Sequence, residues 1–305
     1  MGTLVGHVAP GFGFLLIGLW HLFNHIKLHA LQPNSYTSSA WFPTKFLRYF
    51  ELYTIMVGSS LSIAMELFIG PDRHQPFDLD GTIPSNHLHN FEHSSISLSF
   101  FVYAAFSILL DRIKPKAQEE LTQVLAAFAF TQQFLLFHLH SADHMGVEGQ
   151  YHLLLQFVVL ISLITTLLSI FLPRSFSTSF VRSLSIFLQG LWFIIMGFML
   201  WTPELIPKGC IINLEEGHKV VRCKGDHELH RAKALVNILF SWIITLVAVF
   251  GTVFYIWITK VYAEKVQYWS LGEDADDVES QTETRDEKKS FIHIGKGSPS
   301  MGMER

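Results

Sequence analysis

Charge is what this sequence has least of. Only 16% of its 305 residues are Asp, Glu, Lys or Arg, against about 25% in soluble domains, and that shortage excludes an ordinary soluble globule. The net charge of -4 excludes a basic nucleic-acid footprint and a strongly acidic substrate trap alike. Cysteine is nearly absent, with 2 residues in all, so the chain is no disulfide scaffold. Walker A loops, G-x-S-x-G elbows, H-E-x-x-H helices and arginine-rich voltage sensors are missing as well, and with them the common motif-bearing enzymes and voltage-gated channels.

Apolar residues are abundant: 50% of the chain is hydrophobic, 14% is aromatic, and the mean hydropathy is +0.32. A bilayer core of about 30 Å takes roughly 20 apolar residues per helix. Seven such runs are present, at about 7–26, 46–69, 92–111, 120–140, 152–172, 183–202 and 233–260. Pro43, Gly70-Pro71, Pro115, Pro173 and Pro203 punctuate them. The first run lacks a basic n-region and a small-residue cleavage site, so it is expected to be a retained helix and not a signal peptide. The predicted fold is an all-α membrane protein, a bundle of seven transmembrane helices over residues 1–262, with residues 263–305 as a disordered acidic tail. In that tail Glu273, Asp274, Asp276, Asp277 and Glu279 crowd among Ser, Thr and Gln, and too little apolar area is available to fold alone.

With the N-terminus outside, the inner connections hold Lys27, Lys45, Arg48, Arg112, Lys114, Lys116, Arg174 and Arg182, against Arg73 alone in the outer loops 70–91 and 141–151. This bias predicts a luminal or extracellular N-terminus and a cytosolic C-terminus. The charged loop 203–232 weakens the bias, but it also holds Cys210 and Cys223, a pair suited to a disulfide in an oxidising compartment or, alternatively, two unrelated thiols. Just past the last run, Tyr268-Trp269-Ser270-Leu271 fits the tyrosine-x-x-apolar pattern that clathrin adaptors bind as an extended peptide. Tyr268 and Leu271 would then carry endosomal sorting, unless Tyr268 and Trp269 are interfacial anchors.

Histidine is plentiful, with 16 residues, and unevenly placed. His89 and His93 are i,i+4 at the outer start of the third span, while His138 and His140 close the fourth. The latter pair is i,i+2, so the helix must end between them or one ring must point away. His152 opens the fifth span, His227 and His230 precede the seventh, and Glu66, Asp143 and Glu148 lie at the same depth. Glu66, His89, His93, His138, His140, Asp143, His152 and His227 are therefore candidate ligands for zinc or another divalent metal. A metal-free proton site and plain interfacial histidines are the alternatives. At the inner side His21, His25 and His29 run i,i+4,i+8, near Glu51; a His-Glu hydrogen bond fixing two helices is the expected role, a proton relay the sharper one. Gly11, Gly13, Gly18, Gly190 and Gly197 are expected at close helix contacts.

Gly6-His7 with Pro10-Gly11, Gly18-Leu19-Trp20, Glu92-His93, His138-Leu139-His140, His152-Leu153-Leu154-Leu155 and Leu188-Gln189-Gly190-Leu191-Trp192-Phe193 together resemble the transmembrane protein 45 family, whose plant branch is a domain of unknown function, 716. The resemblance runs to about residue 260. It implies a seven-helix protein of endomembranes or the plasma membrane, with plant members often described as stress- or pathogen-responsive, and no agreed reaction.

The expected function is thus a multi-pass membrane protein with a His/Glu metal or proton site at its outer rim. One alternative is a zinc-dependent lipid hydrolase, with His93, His138 or His140 and His152 on the metal and Glu66 or Asp143 activating water. The other is a transporter or an adaptor acting through its tail. Expected partners are the lipid bilayer, a clathrin adaptor at the tail and, for a homo-oligomer, further copies of the chain, but no nucleic acid.

Overall fold

A computed structural model describes residues 3–70, 74–139, 146–215 and 218–294, with residue 218 and residues 263–294 described by backbone alone. Among them are seven long helices: α1 (Leu4–Leu31), α2 (Phe50–Ala64), α3 (Leu88–Ile113), α4 (Gln118–His138), α5 (Gly146–Phe171), α6 (Phe176–Trp201) and α7 (Asp226–Ile294). Helix α2 continues as a single wide π turn, Met65–Ile69. Six helices are long and apolar enough to cross a membrane: α1, Phe50–Ile69, Ser85–Ile113, α5, α6 and Asp226–Tyr262. The chain is an all-α membrane protein. Helix α4 stands outside those six, its apolar character diluted by Gln118, Glu119, Glu120, Thr122, Gln123, Gln132 and Gln133, yet it packs between α3 and α5.

Local chemistry sets the boundaries. The Thr3 hydroxyl accepts from Gly6 N at the start of α1, and Ser175 Oγ accepts from Thr178 N at the start of α6. Lys114 ends α3 in the left-handed conformation, and Pro115 follows, unable to continue the helix. Gly146 opens α5 at φ 75°, a backbone angle that a side chain would strain. Helix α4 ends at His138, which separates it from His140, a residue outside the described set.

The tightest seam lies between α1 and α6. A Cβ added at Gly18 would strike the backbone of Phe187, and one at Gly190 the backbone of Leu15; Gly11 and Gly197 face Ile194 and Val8 as closely. Gly13 departs from the expected packing role, because nothing lies within 4 Å of the place its Cβ would take. Buried Trp192, Met196, Tyr151 and Leu155 form the main core of α5 and α6. The Trp192 indole N–H donates to Tyr151 O at 3.0 Å, and the buried hydroxyls of Ser162 and Ser185 meet at 2.8 Å.

Two features differ from expectation. The charged loop folds into an antiparallel hairpin, β1 (Cys210–Glu215) with β2 (His218–Cys223), in which Cys210 pairs with Cys223 and the two form a disulfide. Arg182, counted with an inner loop, is 3% exposed inside α6, because the helix begins as early as Phe176 and the loop 32–49 folds over it. The backbone of α7 is helical to Ile294. No proline interrupts 208–298, and the Glu, Lys, Ala and Gln of this stretch are good helix formers. Tyr268 and Leu271 lie within that helical backbone.

Candidate functional site

The rim that carries the N-terminus gathers polar side chains from four elements. In the π turn, a feature frequent at functional sites, the backbone carbonyl of Glu66 accepts from Asn90 Nδ2 at 3.0 Å. This bond ties α2 to the first turn of α3 and places the Glu66 carboxylate beside His93, whose Nδ1 lies 3.0 Å from Oε1. Glu66 is 2% exposed, and its Oε2 is buried without a hydrogen-bond partner among the described residues. His7 from α1 and His152 from α5 stand with ring centroids 5.9 Å apart. Each has Nδ1 at 3.1 Å from the carbonyl four residues earlier, Thr3 O and Glu148 O. A carbonyl can only accept, so Nδ1 carries the proton and Nε2 is the acceptor nitrogen in the neutral rings. Trp201, 4.5 Å from His7, together with Phe137 and Phe193, walls the pair with aromatic surface.

Glu66, His93, His7 and His152 all line one cavity of about 490 Å³. Its shaft is apolar, passing Phe14, Ile17, Ile55, Phe100 and Phe130, and its far end is again polar, with His21, Glu51, Tyr103, Gln123 and Arg182. At that floor three donors converge on the Glu51 carboxylate: His21 Nε2 at 2.6 Å, Trp20 Nε1 at 3.0 Å and the Phe42 amide at 2.9 Å. The histidine stripe exists because α1 continues unbroken to Leu31, and its first member supplies the predicted bond between α1 and α2. Arg182 can only donate, so its 3.2 Å contact makes His25 Nε2 the acceptor and leaves His25 Nδ1–H to donate to the Tyr36 oxygen at 2.9 Å. Burial pushes the Tyr36 phenol, in the loop after α1, up to about 12. His29 stacks on Phe176 at 4.2 Å.

Of the residues singled out from sequence, Glu66, His93 and His152 share the cavity's rim end. His89 stacks edge-on to His93 at 6.2 Å and is not among the lining residues. His138 is exposed at the end of α4, and His227 is exposed in the first turn of α7, beside Glu228; neither lines the cavity. His140 and Asp143 lie outside the described residues. Among the described residues no three His, Cys, Asp or Glu side chains converge closely enough to hold a metal ion. Two lining residues escaped the sequence analysis. His7 belongs to the run's first turns and has no neighbour of its kind nearby in sequence; Arg182 passes for an inner-loop cation.

Residues 119–256, from the first turn of α4 into α7, match the model of a family described as Family of unknown function (DUF716).

Proposed function

Starting from a chain that belongs, through residues 119–256, to that family of unknown function, we propose that this membrane protein acts on a membrane-borne molecule lodged in its cavity, at the amino-terminal rim. The Glu66–His93 pair is the working group, giving or taking a proton at the polar part of that molecule, while His7 and His152 bind beside it. The observation that carries this reading is the half-satisfied carboxylate: Glu66 is buried, holds His93 through Oε1 and keeps Oε2 unpartnered among the described residues while lining the cavity. Buried carboxylates within a membrane are costly, and they mark binding or proton-transfer sites more often than packing sites. The orientation bias puts this rim on the luminal or extracellular face, with the cytosolic end of α7 opposite. Crossing by α4 completes seven spans, since it packs against both α3 and α5 and its last turn supplies Phe137 to the same rim.

Incubation of the purified protein with vesicles of total lipid extract, followed by mass spectrometry, tests the proposal. Wild type changes the amount of at least one lipid species, and Glu66→Gln or His93→Ala abolishes the change; an identical lipid profile for wild type and both variants overturns it.

A second reading adds zinc, with His93, His138 or His140 and His152 as ligands and Glu66 or Asp143 activating water, which makes the protein a lipid hydrolase. What favours it is the tautomer of His7 and His152: a proton on Nδ1, given to a backbone carbonyl, is the arrangement that readies Nε2 for a metal. Elemental analysis of the purified protein decides, because a hydrolase of this kind retains about one zinc per chain and loses it in a His93→Ala, His152→Ala variant. The adaptor reading requires the turn Tyr268–Leu271 to leave its helix, since the sorting pattern is bound extended; removal of residues 263–305 shifts the protein's compartment if that signal operates. Any stress or defence role rests on the family resemblance alone.

A further inference from the structure

We propose that the cavity floor is an anion receptor and that its ligand is a long-chain acid, the carboxylate on Arg182 and the alkyl chain in the apolar shaft. This rests on the reading above that the cavity holds a membrane-borne molecule, and it assigns that molecule's opposite end: an anionic head on the floor, with a polar group at the far end of the chain left to Glu66 and His93.

Arg182 is the first ground. It is 3% exposed, and its hydrogen-bond partners are Gln123 Oε1 at 2.8 Å, Ser39 O at 2.6 Å, His25 Nε2 at 3.2 Å and Ser169 Oγ at 3.3 Å. All four are neutral, whereas a guanidinium is always charged, and a buried charge without an anion is among the costliest groups to keep in a membrane. Glu51 acts on Arg182 only through space, because its hydrogen bonds go to His21, Trp20 and Phe42. The Arg182 Nε–H is buried with no acceptor among the described residues, and the residue lines the cavity. A carboxylate there would satisfy the last donor and balance the charge in one contact.

The shaft supplies the second ground. His7 near its top and His21 at its floor are fourteen residues apart on α1, about 21 Å of helical rise, and the lining between them is chiefly aromatic and aliphatic. Its volume of about 490 Å³ falls within the roughly 300–1,000 Å³ of small-molecule sites, and its length suits one extended alkyl chain.

Access is the third. Helices α1 and α2 touch sparsely and are bonded through Glu51 at the floor. Higher up, a Cβ on Gly13 or on Gly58 would meet nothing within 4 Å, and both glycines line the cavity. The gap therefore opens sideways, toward lipid. At the floor Ala40, Trp41 and Phe42 are buried, and the sideways gap is a route that suits a ligand carrying a chain better than a small soluble anion.

Photolabelling tests this with the full-length protein in lipid nanodiscs and a palmitic acid bearing a mid-chain diazirine. Mapped crosslinks fall on peptides containing Phe14, Ile17, Phe100 or Phe130; unlabelled palmitate competes, and hexadecanol and acetate do not. Arg182→Gln lowers labelling about ten-fold or more, as loss of a charge-assisted contact should. Because that variant also strips bonds that hold the loop 32–49, Gly58→Leu provides an independent check: it projects into open space, melts like wild type and lowers labelling by obstructing the gap. Competition by hexadecanol equal to that by palmitate, or labelling unchanged in a folded Gly58→Leu protein, overturns the inference. If Glu66→Gln with His93→Ala abolishes labelling while Arg182→Gln does not, the anionic head sits at the amino-terminal rim, and the inference falls while the proposed function stands.

Discussion

Glu51 and Glu66 are both 2% exposed carboxylates, each beside a histidine, and their surroundings give them opposite tasks. Glu51 takes three donors and thereby holds α1, α2 and the loop after α1 in one arrangement. Its replacement by alanine leaves two buried donors, His21 and the Phe42 amide, and the half-buried Trp20 without an acceptor. At about 1 kcal/mol or more for each, Glu51→Ala should lower unfolding stability by roughly 3 kcal/mol, read as a drop in melting temperature in detergent; a wild-type melt would show that the network carries little. Glu66 has one oxygen in the cavity without a partner among the described residues, so little structure hangs on its charge. Glu66→Gln preserves volume and should change stability by less than about 1 kcal/mol while removing the proposed activity on lipid. A variant that unfolds as readily as Glu51→Ala would make Glu66 a structural residue.

At the scale of elements, small residues decide which helices close and which stand apart. Gly18 and Gly190 let α1 and α6 meet backbone to backbone, so Gly18→Leu forces the two helices apart and should cost about 3 kcal/mol or more, seen as loss of folded protein in size-exclusion chromatography. Gly13→Ala, five residues away on the same helix, should melt as wild type does. Sequence alone marks both glycines as packing residues, because composition tells that contact is allowed and not which neighbour arrives. The helices themselves were legible: apolar runs predict α1 to α6 to within about seven residues at each end. The hairpin was not, since its strands carry Lys219, Arg222 and Glu215 at loop-like density and their pairing is imposed by Cys210 and Cys223. Within the site, Glu66, His93 and His152 were legible because ionisable groups stand out in apolar runs. Arg182 was hidden, because only the fold of 32–49 over α6 turns a terminal cation into a buried one.

For the whole molecule the number of crossings decides what its two ends can meet. If α4 crosses with its neighbours, the ends lie on opposite faces; if it stays at one surface, they share a face. Tags at Met1 and after Arg305 in sealed vesicles should therefore differ in protease access, and equal access would remove α4 from the set of spans. The cavity binds these parts together, since its rim needs α1, α2, α3, α4 and α5 and its floor adds α6.

The wide turn Met65–Ile69 holds one residue more than a regular helical turn would, so the phase of α2, and not only the identity of Glu66, aims the carboxylate at His93. Excising a single residue ahead of Glu66, such as Ala64, would let that turn relax to ordinary α geometry: the span would survive almost at full length, while the carboxylate would swing about a quarter of a revolution away from its partner. A lesion of that kind would silence the rim without altering any of the side chains that compose it.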